Sequence, residues 1–114
     1  MFSVQVDRRP GDQVVIVVAG EIDSDTAPKL SASLHRELEH ALPALILDLT
    51  GVSFLGVAGL HVLDCALARA ETLPVTVNLV SQDNPAVQSA LRAAAKTGMF
   101  PALRAVEMAS TPSS

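Results

Sequence analysis

Residues 44 to 60 read ALILDLTGVSFLGVAGL, and how this stretch divides decides the fold. Ala44 to Leu49 are short, apolar and bounded by Pro43 and Gly51, the pattern of a strand buried on both faces. The following residues, through Ser53, read as the exit loop of that strand. Residues 57 to 71 then carry Leu60, Leu63, Leu67 and Ala70 at helical spacing, so a helix follows with these side chains inward. Between strand and helix lies FLGVAGL, residues 54 to 60, without one polar side chain. Strand ends and helix starts gather backbone N–H donors and often carry chemistry, so a chemically blank junction there asks for an explanation.

Toward the N-terminus, residues 3 to 7 (SVQVD) alternate and residues 13 to 19 (QVVIVVA) form a β-branched run, with the turn signal Pro10-Gly11 between them. GEIDSDTAPKL opens a helix: Asp23, Ser24 and Asp25 are each able to cap it, and Pro28 falls in the first turn, where a missing N–H costs little. Ala27, Leu30, Leu34, Leu38 and Ala41 give that helix one apolar face, and Pro43 ends it. Toward the C-terminus, VTVNLV (75 to 80) reads as a strand after Pro74. DNPAVQSALRAAAKTG reads as a helix capped by Asp83 or Asn84, with Pro85 in its first turn and Gly98 as its stop. ALRAVEM (102 to 108) suits a short strand or a last helical turn. Two early strands followed by alternating strand and helix predict an α/β fold with a mixed four- to five-stranded sheet and helices packed on it. The chain is expected to be one domain over residues 1–108 with a flexible polar tail over 109–114.

Composition narrows the function classes. Hydrophobic content is 49% but aromatic content only 3%, with no Trp or Tyr, so no ring platform for stacking bases is expected. A formal charge of −4 gives little of the counterion release that drives nucleic-acid binding. Cys65 is the single cysteine, so there is no disulfide framework. MFSVQVDRRPGD lacks the basic start and long apolar run of a secretory signal, and no segment approaches the roughly 18 apolar residues of a membrane span. A cytoplasmic chain without membrane insertion, monomeric or weakly dimeric, is expected.

Catalytic signals are sparse. No GxGxxG, Walker loop, GxSxG, HExxH or CxxC occurs, so no cofactor and no metal are expected. His61, Asp64 and Cys65 fall within one helical turn and could converge as a metal pair or a thiol with its base, but one helix does not complete a site. Asp23 and Asp48 could serve as paired carboxylates; the plainer reading is that each caps a loop. The chain is not expected to be an enzyme.

GEIDSDTAPKL and DLTGVSFLGVAGLHVLDCA together resemble the STAS family, bacterial anti-sigma factor antagonists and related domains, which read GELDxxTAPxL and then DLSGVxFxDSSGLxVL. The resemblance covers nearly the whole chain and implies the STAS fold. It lays the family quartet DSSG on Gly56, Val57, Ala58 and Gly59. The second serine of that quartet is the residue a partner kinase phosphorylates; here it is Ala58, which has no hydroxyl, and the preceding aspartate is Gly56. The resemblance thus implies a domain that binds an anti-sigma factor of serine-kinase-like ATPase fold and is not switched off by phosphorylation at Ala58. The implied partner-binding residues are Asp23, Ser24, Asp25 and Thr26 together with Gly56, Val57, Ala58, Gly59 and His61. Ser24, Thr26, Thr50 and Ser53 are the hydroxyls to which phosphorylation could have moved, although all four also suit local backbone capping. Other family members serve as fixed subunits or scaffold partners, one on the ATPase of an ABC-type lipid transport system, and this alternative fits the missing hydroxyl equally well.

Overall fold

The computed structural model describes residues 1–40 and 43–110, excluding the side chains of 106–110. Its elements are β1 (Ser3–Arg9), β2 (Gln13–Ile22), α1 (Ala27–Leu38), β3 (Ala44–Leu55), α2 (Val57–Ala70), β4 (Thr76–Val80), α3 (Pro85–Ala95) and α4 (Pro101–Ser110). The four strands form one sheet in the order β1-β2-β3-β4, with β1 antiparallel to β2 and the rest parallel. The mixed sheet is as expected. The segment from Ala102 onward resolves to helix, not strand, and residues 111–114 of the expected tail lie outside the described residues, as does Ala41.

The hairpin turn places Gly11 and Asp12 at φ 82° and 62°, a left-handed pair that glycine and aspartate tolerate better than most residues. Alternate residues of the central strands, Val14, Ile16 and Val18 of β2 and Leu45, Leu47 and Leu49 of β3, point into one core. The helices supply the other wall: Leu30, Leu34 and Leu38 from α1, Leu60, Leu63 and Leu67 from α2, Val87 and Leu91 from α3, Leu103 from α4. Burying each such side chain stabilises the fold by roughly 1.5–3 kcal/mol, so the spacing seen in the sequence is the spacing the core selects. At the outer edge, Arg8 of β1 reaches the buried carboxylate of Glu37 on α1, with Nη2 3.1 Å from Oε1, and ties the hairpin to the first helix.

One sequence expectation fails. Residues 50 to 55 are strand, not an exit loop, and β2 likewise runs on to Ile22. The parallel ladder continues to the pair Ile22 with Leu55, passing two irregularities: Val17 faces Asp48 but Ala19 faces Gly51, and Gly20 faces Val52 but Glu21 faces Phe54. In each step β3 advances one residue more than β2, so the extra residues sit in β3 as bulges. Burial there changes from every second to every third residue, Leu49, Val52 and Leu55, which hides the strand from a search for alternation.

Candidate functional site

The extended ladder brings two loops to one end of the sheet. Ile22 and Leu55 are the last pair of β2 and β3, and the chain leaves them into the β2–α1 loop and into α2 respectively. Gly56 N–H donates to Ile22 O at 3.0 Å and closes this corner. Gly59, one turn into α2, lies so close to both strands that a Cβ there would stand 2.5 Å from Ile22 Cγ2 and 2.7 Å from Leu55 Cδ1. Only glycine lets the helix start seat on the strand ends.

The β2–α1 loop is held from within. Asp23 Oδ1 accepts from the N–H groups of Asp25 and Thr26, both at 3.0 Å, and Asp23 N–H donates to Thr26 Oγ1 at 2.9 Å. Thr26 Oγ1–H in turn donates to Glu21 O at 2.8 Å. The Thr26 N–H, more than any other group, holds the Asp23 carboxyl below its ordinary value, because a hydrogen bond to the charged form favours that form. Of the three cap candidates it is thus Asp23 that binds the backbone at the helix entrance, while Thr26 occupies the N-cap position without a side-chain cap bond. Ser24 and Asp25 are exposed.

At the start of α2, Gly56 is the N-cap in extended conformation and offers no side-chain cap. The first N–H groups of any α-helix lack an intrahelical acceptor, and here no side chain of the N-cap supplies one. Ala58 is half-buried, whereas Val57 is 60% and Phe54 49% exposed, the Phe54 ring lying over Gly56, where an added Cβ would meet Cε2 at 2.9 Å. Phe2 and Phe100 pack into the core or against it, so Phe54 is the phenylalanine that faces out. The sequence reading gave it no role; its signal was an aromatic residue beside the quartet in a chain with only 3% aromatic residues.

The other candidates disperse. His61 is exposed and sets its ring edge-on against Phe100 at 4.8 Å between centroids. Asp64 Oδ1 accepts from Ala102 and Leu103 N–H at 2.8 and 3.0 Å and so caps α4, and Cys65 is exposed. Among the described residues no three His, Cys, Asp or Glu side chains gather closely enough to hold a metal ion. Asp48 accepts from Thr50 N–H and Oγ1–H at 2.9 and 2.6 Å and lies in mid-strand, not at a loop. It pairs with Val17, seven residues of β3 before Leu55, so at about 3.3 Å per residue it is on the order of 20 Å from Asp23. The two carboxylates form no pair. Ser53, like Thr50, is exposed on β3, with Thr50 set farther back from the corner.

A family model described as the STAS domain matches residues 3–109. The chain belongs to the STAS domain family. This STAS domain has, among solved structures, a neighbour described as an anti-sigma factor antagonist from Mycobacterium paratuberculosis, with 31% identity, a TM-score of 0.72 and coverage of 94% of this chain and 95% of that one. The anti-sigma-B factor antagonist of Listeria monocytogenes is 40% identical over 61 residues, 54% of this chain and 54% of that protein, so the match spans about half the length of this curated relative. The Bacillus cell-fate determinant SpoIIAA in its phosphorylated form shares the fold at 17% identity, with a TM-score of 0.64 and coverage of 87% and 86%. Among the described residues of this STAS domain no helix is long and apolar enough to cross a membrane.

Proposed function

We propose that this STAS domain is a non-enzymatic anti-sigma factor antagonist of the cytoplasm. It holds an anti-sigma factor, of kinase-like ATPase fold, against the corner formed by Asp23 to Thr26 and Gly56 to His61, and so frees the sigma factor. The observation that carries this reading is the corner itself: an uncapped helix start with Phe54 and Val57 exposed beside it, next to a β2–α1 loop on which Ser24 and Asp25 are exposed. Such a surface suits a partner with an apolar socket and a basic rim, where buried apolar anchors give affinity and charges give orientation and rate. The names of the antagonists it resembles support the same assignment.

In this reading the domain has no off state at position 58. A phosphate would add about −1.5 to −2 charges to the docking surface, and Ala58 has no hydroxyl to take it. The same missing hydroxyl supports a second reading, a fixed STAS subunit of another assembly such as an ABC-type lipid transporter or a signalling scaffold. Calorimetric titration with the anti-sigma factors encoded in the same genome, beside the transport ATPases, separates the two. Binding to an anti-sigma factor is expected; binding to an ATPase of a transporter alone defeats the regulatory reading. Converting Gly56→Asp with Ala58→Ser is expected to give a phosphate acceptor once the Phe54 ring swings off Gly56, which its exposure allows.

A further inference from the structure

Asn84, the N-cap of α3, does more than a cap requires. Its Oδ1 accepts from Val87 N–H at 3.3 Å, while Nδ2 lies 3.1 Å from Leu49 O, 3.1 Å from Thr50 O and 2.7 Å from Val52 O. Two amide hydrogens serve three carbonyls of another element, and the residue is 8% exposed. Those carbonyls lie where β3 has parted from β4, whose last pair is Val80 with Asp48, and where the two bulges interrupt the ladder to β2. Capping alone would be served equally by Asp or Ser, which accept from a first-turn N–H. The donors are what asparagine adds, and they satisfy carbonyls that neither neighbouring strand orders regularly.

Val52 is two residues before Phe54 and four before Gly56. Beyond them the chain is fixed again by Gly56 N–H on Ile22 O and by Gly59 seated on Ile22 and Leu55. The exit of β3 therefore hangs between one clamp from α3 and one from β2. We propose that Asn84 is a positioning residue for the surface from Phe54 to Gly59: from inside the fold, without touching a partner, it sets where β3 delivers Phe54 and the first turn of α2. Its consequence for binding rests on the reading of that surface as the anti-sigma factor site; the positioning itself does not.

The test is amide hydrogen exchange on the chain alone, wild type beside Asn84→Ser and Asn84→Asp. Both variants keep an acceptor for the α3 cap; the carboxylate has no proton to donate, and serine is too short to span the three carbonyls. In Asn84→Ser, which keeps the test open should a buried aspartate prevent folding, exchange over residues 52–59 is expected to accelerate about tenfold relative to residues 45–48 and to α1. Equal acceleration of residues 45–48 would make Asn84 a general stabiliser, and acceleration confined to the first turn of α3 would make it a cap only; either result overturns the proposal. Titration with an anti-sigma factor then separates the two claims. A wild-type domain that binds none defeats the functional reading and leaves the exchange result standing, whereas unchanged exchange in Asn84→Ser beside normal wild-type binding defeats the positioning role alone.

Discussion

The two halves of β3 do different work. From Ala44 to Asp48 the strand pairs in regular register with β2 on one side and β4 on the other, and Leu45 and Leu47 are at most 1% exposed. From Leu49 to Leu55 it has no pairing with β4, carries two bulges, and turns Thr50, Ser53 and Phe54 outward. The first half buries apolar surface and fixes the sheet. The second spends ladder regularity to aim an aromatic side chain and a helix start at one corner, as bulges beside functional sites commonly do. Stability and the proposed recognition surface thus lie a few residues apart on one strand, and substitutions should separate them.

The largest effect is expected in the regular half. Leu47→Ala should cost about 3 kcal/mol of unfolding free energy, read as a lowered denaturant midpoint, because Leu47 is fully buried and its truncation leaves a cavity in the core. Next comes the corner's own seat: Gly59→Ala forces a methyl against Ile22 and Leu55 and should cost about 2 kcal/mol, with the start of α2 displaced. If Gly59→Ala were neutral, α2 would not be seated on the strand ends as described. Phe54→Ser inverts the pattern. Its stability should stay within about 0.5 kcal/mol of wild type, while affinity for the anti-sigma factor falls at least about tenfold; equal losses in both would erase the division between the halves.

The smallest effect is a pH dependence. The folded state lowers the Asp23 carboxyl, so it favours the ionised form. The contribution to the β2–α1 loop is therefore full above about pH 4, the ordinary carboxylate range, and is lost as pH falls through the lowered folded value. Protection of the Asp25 and Thr26 amides, taken relative to their intrinsic exchange rates at each pH, should fall over that acid window in wild type and show no such step in Asp23→Asn.

Much of the fold was legible because its signals are local. The leucines of α2 and the prolines that open α1 and α3 follow helical spacing and first-turn chemistry, and the regular half of β3 reads directly as a buried strand. The irregular half was not legible. A bulge inserts a residue and breaks the period on which strand recognition rests, and Gly51 reads as a turn although here it lies across from Ala19 in a ladder. The site was half legible in the same sense: GVAG marked the helix start, but the exposure of Phe54 and the reach of Asn84 to Leu49, Thr50 and Val52 depend on contacts over thirty residues of sequence. His61, Asp64 and Cys65 show the reverse case, since their spacing on one helix is real but Asp64 is spent on capping α4.

The corner is proposed to hold its partner irrespective of phosphorylation, since position 58 has no hydroxyl. Its most direct test is calorimetric titration of the anti-sigma factor with this domain, before and after incubation of the pair with ATP and magnesium. Saturable one-to-one binding is expected, with the same affinity in both titrations and a weaker one in Phe54→Ser. Absence of binding before ATP, or its loss after ATP together with phosphate on this chain, would contradict it.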